Sequence, residues 1–236
     1  MTPRPTTGVY YSTTSHGTAV LDIRKGRGRW LHLDPISTGL WLALAAGVPS
    51  PSAVDDLVTQ WADRGVDPGR VRADLTGVAD GLNQAELTGD AQHTAAPEQA
   101  VIVQFAGEAH LRRHRAAAAA GLALSLVLLR GAPIRLTVAA ARVLGRLPRQ
   151  PATAEEAGAV HAAVRRAANW WPGRAACLEE SLATFIACAA VGRRVHWALG
   201  ASFFPQGAHA WTEAAGTVIG QDETDRVWPY VPVLRV

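Results

Sequence analysis

Gly173-Arg174-Ala175-Ala176-Cys177-Leu178-Glu179-Glu180-Ser181-Leu182-Ala183 decides how the second half of this 236-residue chain is read. Pro172 and Gly173 break the chain, and from Cys177 to Val191 apolar residues recur at helical spacing. Cys177 therefore falls at the expected start of a helix. The reactive form of cysteine is the thiolate, which the dipole and outward N–H groups of a helix start stabilise. The same N–H groups suit the oxyanion formed when a thiolate attacks a peptide carbonyl. A lone cysteine is otherwise one more small buried side chain, so the reading needs a partner.

His209 is that partner. Gly207-Ala208-His209-Ala210-Trp211-Thr212-Glu213 reads as a strand, with His209, Trp211 and Glu213 on one face. A cysteine nucleophile needs an imidazole as base, and the imidazole needs a carboxylate or amide to orient it. Asp222 is the expected orienting group, at the end of the strand that follows the Ala214-Ala215-Gly216 turn. Glu223 competes for the role, as does the neutral Gln221. His110, His114 and His161 lie on helices among alanines and arginines, where a solvated side chain is the default. The chain has no Cys-x-x-Cys or His-Glu-x-x-His pair, no Gly-x-Ser-x-Gly elbow and no glycine-rich phosphate loop. No metal or cofactor is expected.

Around this pair the second half is helical first, over 108–129, 133–144 and 155–168. It ends in strands at 195–201, 209–213 and 217–220, an α+β pattern. Cys188 lies eleven residues beyond Cys177, ~16 Å along one helix and out of disulfide reach. Two unbridged thiols and a polar Met1–Thr14 opening lead to the expectation of a cytoplasmic chain. The most apolar run, Ala116–Leu129, is shorter than the ~18–20 residues that span a bilayer, so no integral membrane segment is expected.

The first half reads as three strands, 9–13, 19–23 and 29–33, then three helices. Asp34-Pro35 opens the first helix, Ser50 or Ser52 the second and Asp67-Pro68 the third. This pattern predicts a winged-helix-like module over residues 1–88. Residues 89–98 hold almost nothing that could pack and read as a linker to a second domain, 99–236. Residues 1–98 carry 8 Arg+Lys against 11 Asp+Glu, a balance of −3, while residues 99–236 carry +6. The module that would read DNA thus lacks the charge for it, and no nucleic-acid partner is expected.

Cys177-Leu178-Glu179-Glu180-Ser181-Leu182, then Val195-His196-Trp197-Ala198-Leu199-Gly200, then Ala208-His209-Ala210-Trp211 resemble the transglutaminase-like cysteine peptidases of lasso peptide biosynthesis. The resemblance covers roughly residues 100–236 and implies a transglutaminase/papain-like α+β domain with Cys177 as nucleophile and His209 as base. Asp222 remains an inference from position. The first half is similar in architecture to the pyrroloquinoline quinone chaperone, a peptide-recognition element of ribosomal peptide pathways. Together these imply a fused protein that holds the leader of a precursor peptide and cuts leader from core. A separate cyclase similar to asparagine synthetases would be its partner. Leader capture would proceed by strand addition at the edge Arg29–Leu33, with Trp30, Leu31 and His32 opposite Arg72, Leu75 and Val78. Two rival readings stay open: acyl transfer to an amine by the same Cys-His-Asp site, and a non-catalytic winged-helix regulator.

Overall fold

A computed structural model describes residues 8–87, 91–94, 103–104, 114–147, 150–220 and 230–236. The chain opens with β1 (Val9–Thr14), β2 (Gly17–Asp22) and β3 (Arg29–Leu33), an antiparallel meander. Helices α1 (Pro35–Ala45), α2 (Ser50–Ala62) and α3 (Pro68–Gln84) follow. Two of the three predicted caps are in place, whereas α2 starts at Ser50 with Pro49 as its N-cap residue and no side-chain cap bond, so neither Ser50 nor Ser52 caps it. The Asp34 carboxylate accepts from Ser37 N at 2.7 Å, and Asp67 accepts from Gly69 N and Arg70 N. Each satisfies N–H groups that a helix start leaves without a helical acceptor.

Part of the stretch read as a linker is built into this unit. Gln92–His93 form β4, parallel to β1, so the strand order is β3-β2-β1-β4. Thr94 N donates to Tyr11 O, and Thr94 Oγ1 donates to Val233 O at 2.6 Å. Composition missed this because backbone pairing asks little of side chains.

Next come β5 (Val103–Gln104), α4 (Arg115–Gly131), α5 (Ile134–Arg146), β6 (Gln150–Pro151), α6 (Ala154–Ala168) and α7 (Cys177–Ala190). The tail holds β7 (Arg193–Arg194), β8 (His196–Phe203), β9 (Gln206–Ala214), β10 (Thr217–Ile219) and β11 (Val231–Arg235). Five strands form one sheet in the order β11-β8-β9-β10-β5. The β9–β10 turn is made by Ala215 and Gly216 at φ of 50° and 77°, positive at both central positions as tight hairpins require. The second half is thus α+β, with α6 and α7 packed on the sheet and α4 packed against both of those helices.

The two halves share a core. Val9, Val20 and Leu33 pack with α1–α3 around Trp41 and Leu75. On the other side of the same sheet, Tyr10, Ala19, Leu21 and Ile23 join one continuous cluster with Val138, Val160, Leu182 and Trp197. Arg142 Nη2 donates to the Tyr10 hydroxyl at 2.8 Å, and Ile134 N donates to Gly26 O at 2.9 Å. The first sheet is therefore covered on both faces, which explains the unbroken burial of β2 from Gly17 to Leu21.

Candidate active site

Helix α7 begins at Cys177, as the sequence predicts, with Ala176 as its extended N-cap residue. The Glu179 carboxylate turns back and accepts from Ala176 N at 3.0 Å. The first helical bond is Glu180 N to Ala176 O, so the N–H groups of residues 177–179 lie ahead of the helical ladder. Cys177 is half-buried. Cys188, three turns on, is fully buried, and burial pushes its thiol up to about 12, with Glu156 adding to the shift. Such a thiol stays protonated and inert.

Four elements hold the first turns of α7. From α4, Ser125 Oγ donates to Glu179 O at 3.2 Å. From β8, Trp197 Nε1 donates to Ser181 Oγ at 3.0 Å, and from β9 the Thr212 hydroxyl donates to Ser181 O at 3.1 Å. From α6, His161 Nδ1 meets Thr184 Oγ1 at 3.0 Å, while that hydroxyl donates to Glu180 O at 2.8 Å. His161 is a correction to the sequence reading, which left it solvated. It is 7% exposed, and its ring lies against Gly220, where an added Cβ would sit 2.0 Å from Cδ2. Burial above all, helped by the Arg165 charge, lowers its pKa to about 4. Alanine-rich surroundings hid it: they look solvent-tolerant in sequence but permit close helix packing, which buries the ring.

The register sets where His209 lies relative to Cys177. Chain α7 leads directly into β7, and β8 then starts with His196 opposite Glu213 and ends with Phe203 opposite Gln206. Strand β9 therefore runs in the same sense as α7, its His209 end toward the helix start. Measured from the Ser181–Thr212 bond, Cys177 lies ~6 Å back along the helix. His209 lies ~10 Å back along the strand, so it overhangs the helix start.

His209, Trp211 and Glu213 share one face of β9, as expected from alternation, and it is the face opposite Thr212. Glu213 anchors that row. Its carboxylate accepts from Trp211 Nε1 at 2.7 Å and pairs with Arg235 at 2.7 Å. Trp211 in turn stacks beside His209, with ring centroids 6.1 Å apart at 18°, and Tyr230 flanks the imidazole at 5.1 Å. Gly200 stands across the ladder from His209, and a Cβ there would meet Trp211 at 2.4 Å. Asp222, Glu223 and Gln221 lie outside the described residues.

The residues assigned to leader binding divide between two places. Strand β3 is the outer strand of its sheet, with no further strand paired to it among the described residues. Leu31, Leu75 and Val78 belong to the cluster under α1–α3, and Leu75 is 2% exposed. Trp30 packs instead against the core of the second half, and the His32 ring meets Phe203 at 5.8 Å. Arg72 pairs with Asp55 on α2. A cleft of about 380 Å³ opens between the start of α1 and α3, lined by Ile36, Trp61, Arg70, Asp74, Leu75 and Val78. Arg70 and Asp74 line this cleft, although in the sequence each looks like any exposed helical charge. Among the described residues no helix is long and apolar enough to cross a membrane, and no His/Cys/Asp/Glu group could hold a metal ion.

A family model described as the transglutaminase-like superfamily matches residues 106–235, more than half of the chain. No curated protein and no solved structure matches. The match spans the Cys177 helix start and the His209 strand alike, and the chain belongs to the transglutaminase-like superfamily.

Proposed function

We propose that this protein is a cysteine peptidase that cuts the leader from a ribosomally made precursor peptide, in a lasso-type pathway. Cys177 is the nucleophile, His209 the base and Asp222 the group that orients it. The observation that supports the reading is the shared end of α7 and β9: a half-buried cysteine at a helix start, and at the same end of β9 a histidine flanked by Trp211 and Tyr230. In this reaction His209 takes the thiol proton and the thiolate attacks the scissile carbonyl carbon. N–H groups ahead of the α7 ladder stabilise the oxyanion. Collapse of the tetrahedral intermediate breaks the C–N bond, and His209 returns the proton to the leaving amine. Water, deprotonated by the same imidazole, then hydrolyses the thioester and frees the thiol. Because His209 lies on the face of β9 opposite Thr212, this mechanism requires the imidazole to reach the thiol around the helix start.

Leader capture belongs to the first half. Its support is the outer edge of β3, with no further strand paired to it among the described residues, together with the cleft between α1 and α3. An extended peptide would add to the edge by backbone hydrogen bonds and place alternate side chains in the cleft. Because the halves share a core, the capture surface is fixed relative to Cys177 by packing. The partner cyclase and the cytoplasmic setting follow from the same reading.

The test is to incubate the full chain with the precursor peptide encoded in its gene neighbourhood and follow cleavage by mass spectrometry. One cut between leader and core is expected, lost in Cys177→Ala while leader binding by calorimetry persists. Cleavage by Cys177→Ala at the native rate would refute the assignment. Conversion of an added amine to an amide in place of the free acid would move the activity to acyl transfer.

A further inference from the structure

We propose that the cavity beside Cys177 is an anion-selective subsite that takes an acidic side chain of the substrate within two residues of the scissile bond. The inference rests on the peptidase reading and specifies its substrate. The cavity, about 560 Å³, is bounded by Ala176 and Leu178, the two neighbours of Cys177, and by Glu179. That volume suits a short stretch of peptide. Three arginines line it: Arg130 from the end of α4, Arg174 from the approach to α7, and Arg27 from the β2–β3 turn.

Among the described residues no carboxylate forms an ion pair with Arg27, Arg130 or Arg174. Glu179 faces the cavity, yet its carboxylate is engaged by Ala176 N. Arg130 is partly oriented already, with its guanidinium 5.5 Å from the Trp171 ring and Nη2 donating to Arg174 O at 3.4 Å. Arg27 is brought in by the first half, whose Gly26 carbonyl accepts from Ile134 N at 2.9 Å. The balance of three cations and one engaged anion favours a carboxylate, which a guanidinium binds with two parallel hydrogen bonds. The apolar walls favour the aliphatic stem that carries it. The β2–β3 turn of the recognition half is thereby part of the cleavage site.

The experiment uses the full chain and the precursor peptide, with the two residues on each side of the cut varied in turn through Asp, Asn, Ala and Lys. At one of these positions Asp should exceed Asn by roughly tenfold in kcat/KM, about 1.4 kcal/mol, mostly through KM. The preference should shrink as salt is raised, because the three arginines are exposed. The Arg27→Gln/Arg174→Gln variant should level Asp and Asn, and Arg27→Glu/Arg174→Glu should favour Lys. Circular dichroism confirms that these surface changes leave the fold intact. Cleavage that is indifferent to charge at all four positions, or a preference unchanged by the double variants, would overturn the subsite and leave the peptidase reading standing. No cleavage of any precursor by the wild-type chain would overturn both.

Discussion

Acidification should destabilise this protein through His161, and the size of the effect can be worked out. The imidazole is buried between Thr184 of the Cys177 helix and Gly220 at the end of β10, with the Arg165 charge adding to the cost of protonation. Its folded-state pKa is about 4 against an ordinary value of 6.5. Between those values the unfolded chain binds the proton more tightly than the folded one, so stability rises with pH across that window. Above pH 6.5 His161 is neutral in both states and contributes nothing to the pH dependence. As pH falls, each unit costs about 1.4 kcal/mol, so the loss is about 2 kcal/mol at pH 5 and ~3 kcal/mol at pH 4. Below pH 4 the loss levels off, with only about 0.4 kcal/mol more to come. Urea unfolding followed by circular dichroism, from pH 7.5 to 4, should be run on wild type and on His161→Gln. The variant should be less stable at pH 7.5, since it disturbs the contact with Thr184. Its disadvantage should shrink by ~3 kcal/mol on reaching pH 4, because glutamine has no proton to take up. A wild-type-minus-variant difference that stays constant across the range would refute the reasoning.

Iodoacetamide at pH 8 should label Cys177 and spare Cys188, whose buried thiol is pushed up to about 12; peptide mapping that finds Cys188 labelled in the folded protein would contradict its burial. Gly200→Ala should cost about 1–3 kcal/mol, since its Cβ would meet Trp211 at 2.4 Å and Val231 O at 2.5 Å, and it should slow cleavage by displacing the ring beside His209; an unchanged Tm would count against the packing described. His209→Ala should lower kcat by orders of magnitude and Asp222→Asn by less; damage from Glu223→Gln with a silent Asp222→Asn would transfer the orienting role to Glu223. Arg70→Ala in the α1–α3 cleft should raise KM with kcat unchanged, whereas Leu75→Ala should cost 2–5 kcal/mol in stability as a buried truncation; equal KM values for Arg70→Ala and wild type would remove the cleft from leader capture.

The features legible in the sequence are those decided within a few residues. Asp34 and Asp67 cap their helices, Ala215-Gly216 turns the hairpin, and Cys177 starts α7, because capping and turn geometry depend on short-range hydrogen bonds and on φ. Alternation likewise put His209, Trp211 and Glu213 on one face. What packs on that face is another matter. Periodicity marks which side of an element is apolar and says nothing about which distant element covers it. Thus only the tertiary structure buried His161, clasped Ser181 from β8 and β9, and covered Trp30 and Leu31 with two different cores. It also turned Gln92–His93 from linker into strand and brought Arg27 beside the start of α7. Each of these depends on contacts between residues far apart in the chain, and their energy resides in the shared core that joins the two halves.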